Sequence, residues 1–97
     1  MAKNVIVRSD RAGCFHGEIS EYDREHGVVT LKNARRLWYW AGASSLSELA
    51  VLGTSKPKDC KFPVAVEAQT IHGVLEVIWT TDAADTSIQG VKPWTQH

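Results

Sequence analysis

Three β-forming runs, separated by two short polar turns, constrain this chain more than any other feature. Val5-Ile6-Val7-Arg8 is short and apolar, and Ser9-Asp10-Arg11-Ala12-Gly13 has the chemistry of a turn. Cys14 to Tyr22 then alternates, with Phe15 and Ile19 on one side and His16, Glu18 and Ser20 on the other, as a half-buried strand does. Asp23-Arg24-Glu25-His26-Gly27 supplies a second turn in which Gly27 is free to take positive φ, and Val28-Val29-Thr30-Leu31 resumes the β pattern. A connection this short predicts an antiparallel hairpin from the second and third runs.

The rest of the chain adds helices to that sheet. Gly42 breaks the third strand, and Ser45-Leu46-Ser47-Glu48 fits a capping box, so a helix starts there. Leu46, Leu49, Ala50 and Val51 or Leu52 form its apolar side, and Gly53 is placed to stop it. Thr54 to Asp59 is a loop, and Cys60-Lys61-Phe62-Pro63-Val64 leaves it in extended form. Gln69 to Trp79 predicts one or two further strands, interrupted at His72-Gly73. Thr81-Asp82 caps a helix from Ala83 to Gln89, ended by Gly90, and Pro93-Trp94 returns an aromatic over the body. The expected fold is therefore α+β: one domain over residues 1–97, with a small, mostly antiparallel β-sheet of about four to five strands and two short helices.

Composition narrows the partners. A chain of 97 residues has room for one small core, and at this size large aromatics left at the surface favour a homo-oligomer. Residues 1–61 carry ten Lys and Arg against seven Asp and Glu, and residues 62–97 one against four, so the halves differ by +3 and −3 and cancel. Without a strongly basic face, general nucleic-acid binding is disfavoured, while a local anion pocket is compatible. Cys14 and Cys60 lack C-x-x-C spacing or a paired histidine and are expected to be free, buried thiols, with no metal and no cofactor implied. No signal peptide or membrane-length apolar run is present in the sequence, so a cytoplasmic location and no membrane partner are expected.

The most unusual residues lie in Asn33-Ala34-Arg35-Arg36-Leu37-Trp38-Tyr39-Trp40-Ala41-Gly42-Ala43. Arg35 and Arg36 offer guanidinium donors to phosphate oxygens, and Trp38, Tyr39 and Trp40 offer flat π surfaces to a base. The plainer alternative makes the aromatics core or subunit-interface residues, with the arginines paired to carboxylates or stacked on rings. If the third strand runs through this stretch and Leu37 faces the core, Arg36, Trp38 and Trp40 share the opposite face. A bulge at Asn33-Ala34 would exchange those assignments. Arg8 and Arg11 flank the first turn and could add a second anionic contact.

A catalytic reading has less behind it. His16, His26, His72 and His97 have no metal-ligand spacing, and His16 shares a strand face with Glu18 without a nucleophile beside them. Cys14 and Ser44 lack an activating setting. The chain is expected not to be an enzyme.

Ala34-Arg35-Arg36-Leu37-Trp38-Tyr39-Trp40-Ala41-Gly42-Ala43 and the following Ser44 to Ala50 resemble a family of small bacteriophage and prophage proteins carried as a domain of unknown function. The resemblance extends over Val5 to Arg8, Ala12-Gly13, Cys60 to Val64 and Ser87 to Trp94; this chain has Trp79 where a small or proline-like residue fits the pattern. It implies no particular activity. By analogy with small phage proteins that act by binding, it raises two roles: an oligomeric sponge sequestering a host immune signalling nucleotide, such as a cyclic nucleotide or related phosphorylated small molecule, and an inhibitor of a host protein. A phage DNA-binding regulator ranks below both.

Overall fold

The computed structural model describes residues 3–95, so His97 lies outside the described residues. Five strands form one antiparallel sheet: β1 (Asn4–Ser9), β2 (Gly13–Asp23), β3 (Val28–Arg36), β4 (Val66–Ile71) and β5 (Val74–Trp79), in the order β4-β3-β2-β1-β5. Helices α1 (Leu46–Leu52) and α2 (Asp82–Gln89) accompany it, with a 3₁₀ turn at Pro57–Asp59 between α1 and β4. The expected α+β class, the β2–β3 hairpin and both helix starts are observed.

His72-Gly73 joins β4 to β5, yet these strands occupy opposite edges of the sheet. Two residues cannot span an open five-stranded sheet, so the sheet curls until its edges converge at that turn. Hydrogen bonds hold it there: Val74 N donates to Gly27 O at 3.0 Å, Asp10 N to Gly73 O at 3.0 Å, and Ser9 Oγ to His72 O at 2.7 Å.

Curling gives the sheet two buried faces. Val5, Val7, Phe15, Val29, Leu31, Ala34 and Ile71 pack inside the roll. Ile6, Leu37, Phe62 and Cys60 pack on the other face with Leu49 and Ala50 of α1 and Ile88 of α2. Val5, Ile6 and Val7 are all fully buried, which explains an unbroken apolar run in a central strand covered on both sides.

Asn33 takes positive φ at +52°, and the β2–β3 register steps from Glu18↔Lys32 to His16↔Arg35, leaving Gly17 opposite Asn33 and Ala34. This is the bulge that the sequence allowed for. It moves the inward position from Leu31 to Ala34 and sends Arg35 and Leu37 to the helix-covered face. Gly17 fits because a Cβ there would sit 3.0 Å from Lys32 O and 3.2 Å from Ala34 Cα.

Both helices carry hydroxyl caps. Ser45 Oγ accepts from Glu48 N at 3.1 Å, and Thr81 Oγ1 accepts from Ala84 N at 3.1 Å. The Glu48 carboxylate accepts from Ser44 Oγ, so the box at α1 closes through the preceding serine. Val51 and Leu52 do not complete the apolar side of α1; they are exposed, and Gly53 is the buried residue at its end. There a Cβ would meet Ser87 Cβ of α2 at 2.4 Å, so the glycine both ends α1 and lets α2 approach. Cys60 is buried as expected, whereas Cys14 is half-buried; both are free thiols.

Candidate ligand-binding face and polar cavity

The third strand does not run through the aromatic stretch. The last β2–β3 pair is Phe15↔Arg36, and Leu37 N makes one further bond to Cys14 O at 2.8 Å. Beyond that, β2 gives way to the β1–β2 turn and no neighbouring strand remains for residues 38–40. The chain instead bridges to Lys61: Lys61 N donates to Tyr39 O at 2.7 Å and Tyr39 N to Lys61 O at 3.3 Å.

This exchange dissolves the expected row of Arg36, Trp38 and Trp40. Trp40 is half-buried against the same core as Leu37. Arg36 turns to the β1–β2 turn, donating to Ala12 O and lying 4.5 Å from the Phe15 ring centroid. Trp38 and Tyr39 remain outside, 57% and 52% exposed.

Outside, they meet two residues from later in the chain. Trp94, anchored by its backbone N–H on Phe62 O at 3.0 Å, stacks on Trp38 with centroids 4.9 Å apart and planes at 26°. The Lys61 ammonium lies 5.2 Å from the Trp38 ring, 5.5 Å from Trp94 and 5.9 Å from Tyr39. Stacking and cation–π attraction each contribute roughly 0.5–1.5 kcal/mol at such sites, enough to organise the rings while leaving much of their surface open. A cavity of about 570 Å³ beside Trp94 is also lined by Lys58 and Lys92. The resulting face combines flat π surface with lysine charge.

Arg35 goes elsewhere. Its guanidinium is buried and donates to Ile88 O at 2.8 Å, Phe62 O at 3.0 Å and Pro63 O at 3.0 Å. Ile88 lies in the last turn of α2, where the carbonyl dipoles favour a cation. Burial pulls the Arg35 pKa below its ordinary value, offset in part by the Cys60 thiol. Arg35 thus ties the end of α2 to β3 and the Phe62-Pro63 segment.

Beside it lies a polar centre that residue patterns did not disclose. His16, paired in register with Arg35, hydrogen-bonds Asp85 through Nε2 at 2.8 Å. Asp85 also accepts from Asn4 Nδ2 at 3.1 Å and from Thr80 Oγ1. Burial pushes the His16 imidazole below its ordinary value, overriding the hydrogen bond and charge of Asp85, while Arg35 adds to the lowering. For Asp85, burial acts upward, but the hydrogen bonds from His16, Thr80 and Asn4 outweigh it, and its pKa falls. Both directions describe a neutral imidazole donating Nε2–H to a carboxylate. The sequence placed His16 and Glu18 on one face, and both line a cavity of about 560 Å³ with Arg35, Asn4 and Asn33; the partner of His16, however, is Asp85. One signal was available: Ala84, Asp85 and Ile88 occupy the buried side of α2, so a carboxylate sits on an apolar helix face.

The first-turn arginines separate as well. Arg8 lies in β1 and pairs across the sheet with Glu76 at 3.0 Å, an exposed ion pair. Arg11 is exposed in the turn, with no hydrogen-bond or ion-pair partner among the described residues, and Arg36 reaches the adjacent Ala12. No helix among the described residues is long and apolar enough to cross a membrane, and no group of three metal-ligating side chains comes together among them.

Neither a curated protein nor a solved structure matches the chain. Residues 2–88, which carry all five strands, the bulge, Trp38 and Tyr39 with Lys61, and the His16–Asp85 pair, match the family described as Domain of unknown function (DUF6948), and the chain belongs to that family.

Proposed function

We propose that this is a non-catalytic binding protein whose ligand is a phosphorylated small molecule with a flat base, a cyclic nucleotide being the leading class. The observation that carries this reading is the open Trp38–Trp94 stack with the Lys61 ammonium over both rings and Tyr39. A base gains about 1–3 kcal/mol from stacking on an exposed aromatic, and Lys61, with Lys58 and Lys92 nearby, supplies charge for phosphate. Arg36 and Arg11 at the β1–β2 turn are a second basic position, while Arg35 supports the fold beneath. The resemblance to phage proteins extends the reading to a sponge that sequesters a host immune signalling nucleotide.

Titration of the purified protein with a panel of cyclic nucleotides and cyclic ADP-ribose isomers, followed by heat release and identification of the freed ligand, tests it. Stoichiometric capture and intact release of one member supports the proposal; failure to bind any member overturns it.

A second reading has its own observation. Val51 and Leu52 of α1 and Leu75 and Trp79 of β5 are 53–69% exposed, on two elements that pack together. Such apolar surface fits a homo-oligomer interface or a host-protein contact. Sedimentation of wild type against Trp79→Ala distinguishes self-association, and a stoichiometric host partner lost on Leu52→Ala but retained on Trp38→Ala would favour inhibition of a host protein over nucleotide capture.

A further inference from the structure

The cavity between the sheet and the end of α2 contains polar groups that the fold leaves unused. A guanidinium has five N–H donors; Arg35 spends three on the carbonyls of Pro63, Phe62 and Ile88, and no carboxylate forms an ion pair with it among the described residues. The C-terminus of a helix supplies the equivalent of about half a negative charge, so α2 compensates this cation only in part. Arg35 is 6% exposed, which makes the remaining donors costly to leave without an acceptor.

His16 complements it. Nε2 is held by Asp85, and Nδ1 makes no hydrogen bond among the described residues. Since no buried side-chain nitrogen or oxygen lacks a partner, Nδ1 opens to the cavity that His16 lines. With the proton on Nε2, Nδ1 presents a lone pair, so it accepts a hydrogen bond. Glu18 lines the same cavity, is half-buried and forms no ion pair among the described residues. The cavity is therefore lined by a cation with free donors and, beside it, by two acceptors, one of them charged.

We infer that this cavity binds a small molecule carrying an oxyanion next to hydrogen-bond donors, with Arg35 taking the oxyanion and Glu18 and His16 Nδ1 taking the donors. A bare anion is a poor match, because Glu18 repels it and His16 has no proton to give. An α-amino acid supplies the pattern as carboxylate and ammonium; a sugar phosphate supplies it as phosphate and hydroxyl. Both fit within about 560 Å³. Asn4 and Asn33 also line the cavity.

The test is NMR titration of the wild-type protein with the proteinogenic L-α-amino acids and, separately, with ribose 5-phosphate and glucose 6-phosphate, using acetate and inorganic phosphate as controls at constant ionic strength. Saturable shifts of the Arg35 Nε–Hε and His16 ring signals with one class, at a concentration where its control gives none, support the site and name its source. Shifts that the controls reproduce, shifts confined to Lys61 and the tryptophans, or no shift with either class overturn it. Glu18→Gln, at the cavity wall, should weaken the bound class about tenfold, as loss of a charged acceptor does; unchanged affinity overturns the assignment. Trp38→Ala should leave this titration unaltered, so failure of the nucleotide reading and failure of this site are separable.

Discussion

The Trp38–Trp94 face and the His16–Asp85–Arg35 cavity both contain cations and flat rings, yet they are built by opposite means. The first is open: Trp38 and Tyr39 are more than half exposed and held by a stack, a two-residue bridge and a lysine. The second is built on buried side chains: His16 and Arg35 are 2% and 6% exposed and held by hydrogen bonds to residues 27 to 69 positions away. An open aromatic face can change its side chains without disturbing the fold. A buried polar centre cannot, because each lost partner leaves a desolvated group behind. The two regions should therefore respond differently to the same kind of mutation.

Arg35→Met offers the largest contrast. It deprives the carbonyls of Pro63, Phe62 and Ile88 of a charged donor and frees the end of α2. We expect a loss of about 3–5 kcal/mol in urea unfolding; a loss below about 1 kcal/mol would show that the cavity is as tolerant as the aromatic face. Gly17→Ala follows. It presses a methyl group against the bulge at Asn33-Ala34 that aims Arg35, at a cost of about 1–3 kcal/mol, read by the same unfolding curve.

Acid distinguishes the regions without mutation. His16 and Asp85 both have folded pKa values below their ordinary ones, so the folded state resists taking up their protons. Their contributions are complete above the ordinary imidazole and carboxylate values and are lost as pH falls, first through the window below about 6.5 for His16 and then below about 4 for Asp85. Thermal unfolding from pH 8 to 5 should show the first loss in wild type and not in His16→Gln. Trp38→Ala should leave that pH profile intact and change stability least, by about 1–2 kcal/mol through loss of the Trp94 stack and the Lys61 contact, while weakening nucleotide binding about tenfold or more.

How much was legible in the sequence follows the same division. β1 to β3 and the helix starts were local, written in alternation, turn residues and hydroxyl caps. Trp38 and Tyr39 were visible because aromatic and basic residues cluster there, and even the bulge had its marker in Asn33. The end of the strand at Arg36 was not visible, because it depends on where β2 runs out. Nor was the curling of the sheet, which comes from β4 and β5 lying at opposite edges. His16–Asp85 and Asn4–Asp85 span 69 and 81 residues. No window on the chain contains them, and only the carboxylate on the buried side of α2 hinted at a partner.

The central claim is that the open aromatic face is the ligand surface. It is tested most directly by following the indole N–H signals of Trp38 and Trp94, with Trp40 and Trp79 as internal references, while the cyclic-nucleotide panel is added to the wild-type protein. Saturable shifts at Trp38 and Trp94, small or absent ones at Trp40 and Trp79, and their disappearance in Lys61→Ala are the predicted result. Saturable binding that leaves Trp38 and Trp94 unmoved, or no response to any panel member, would contradict it.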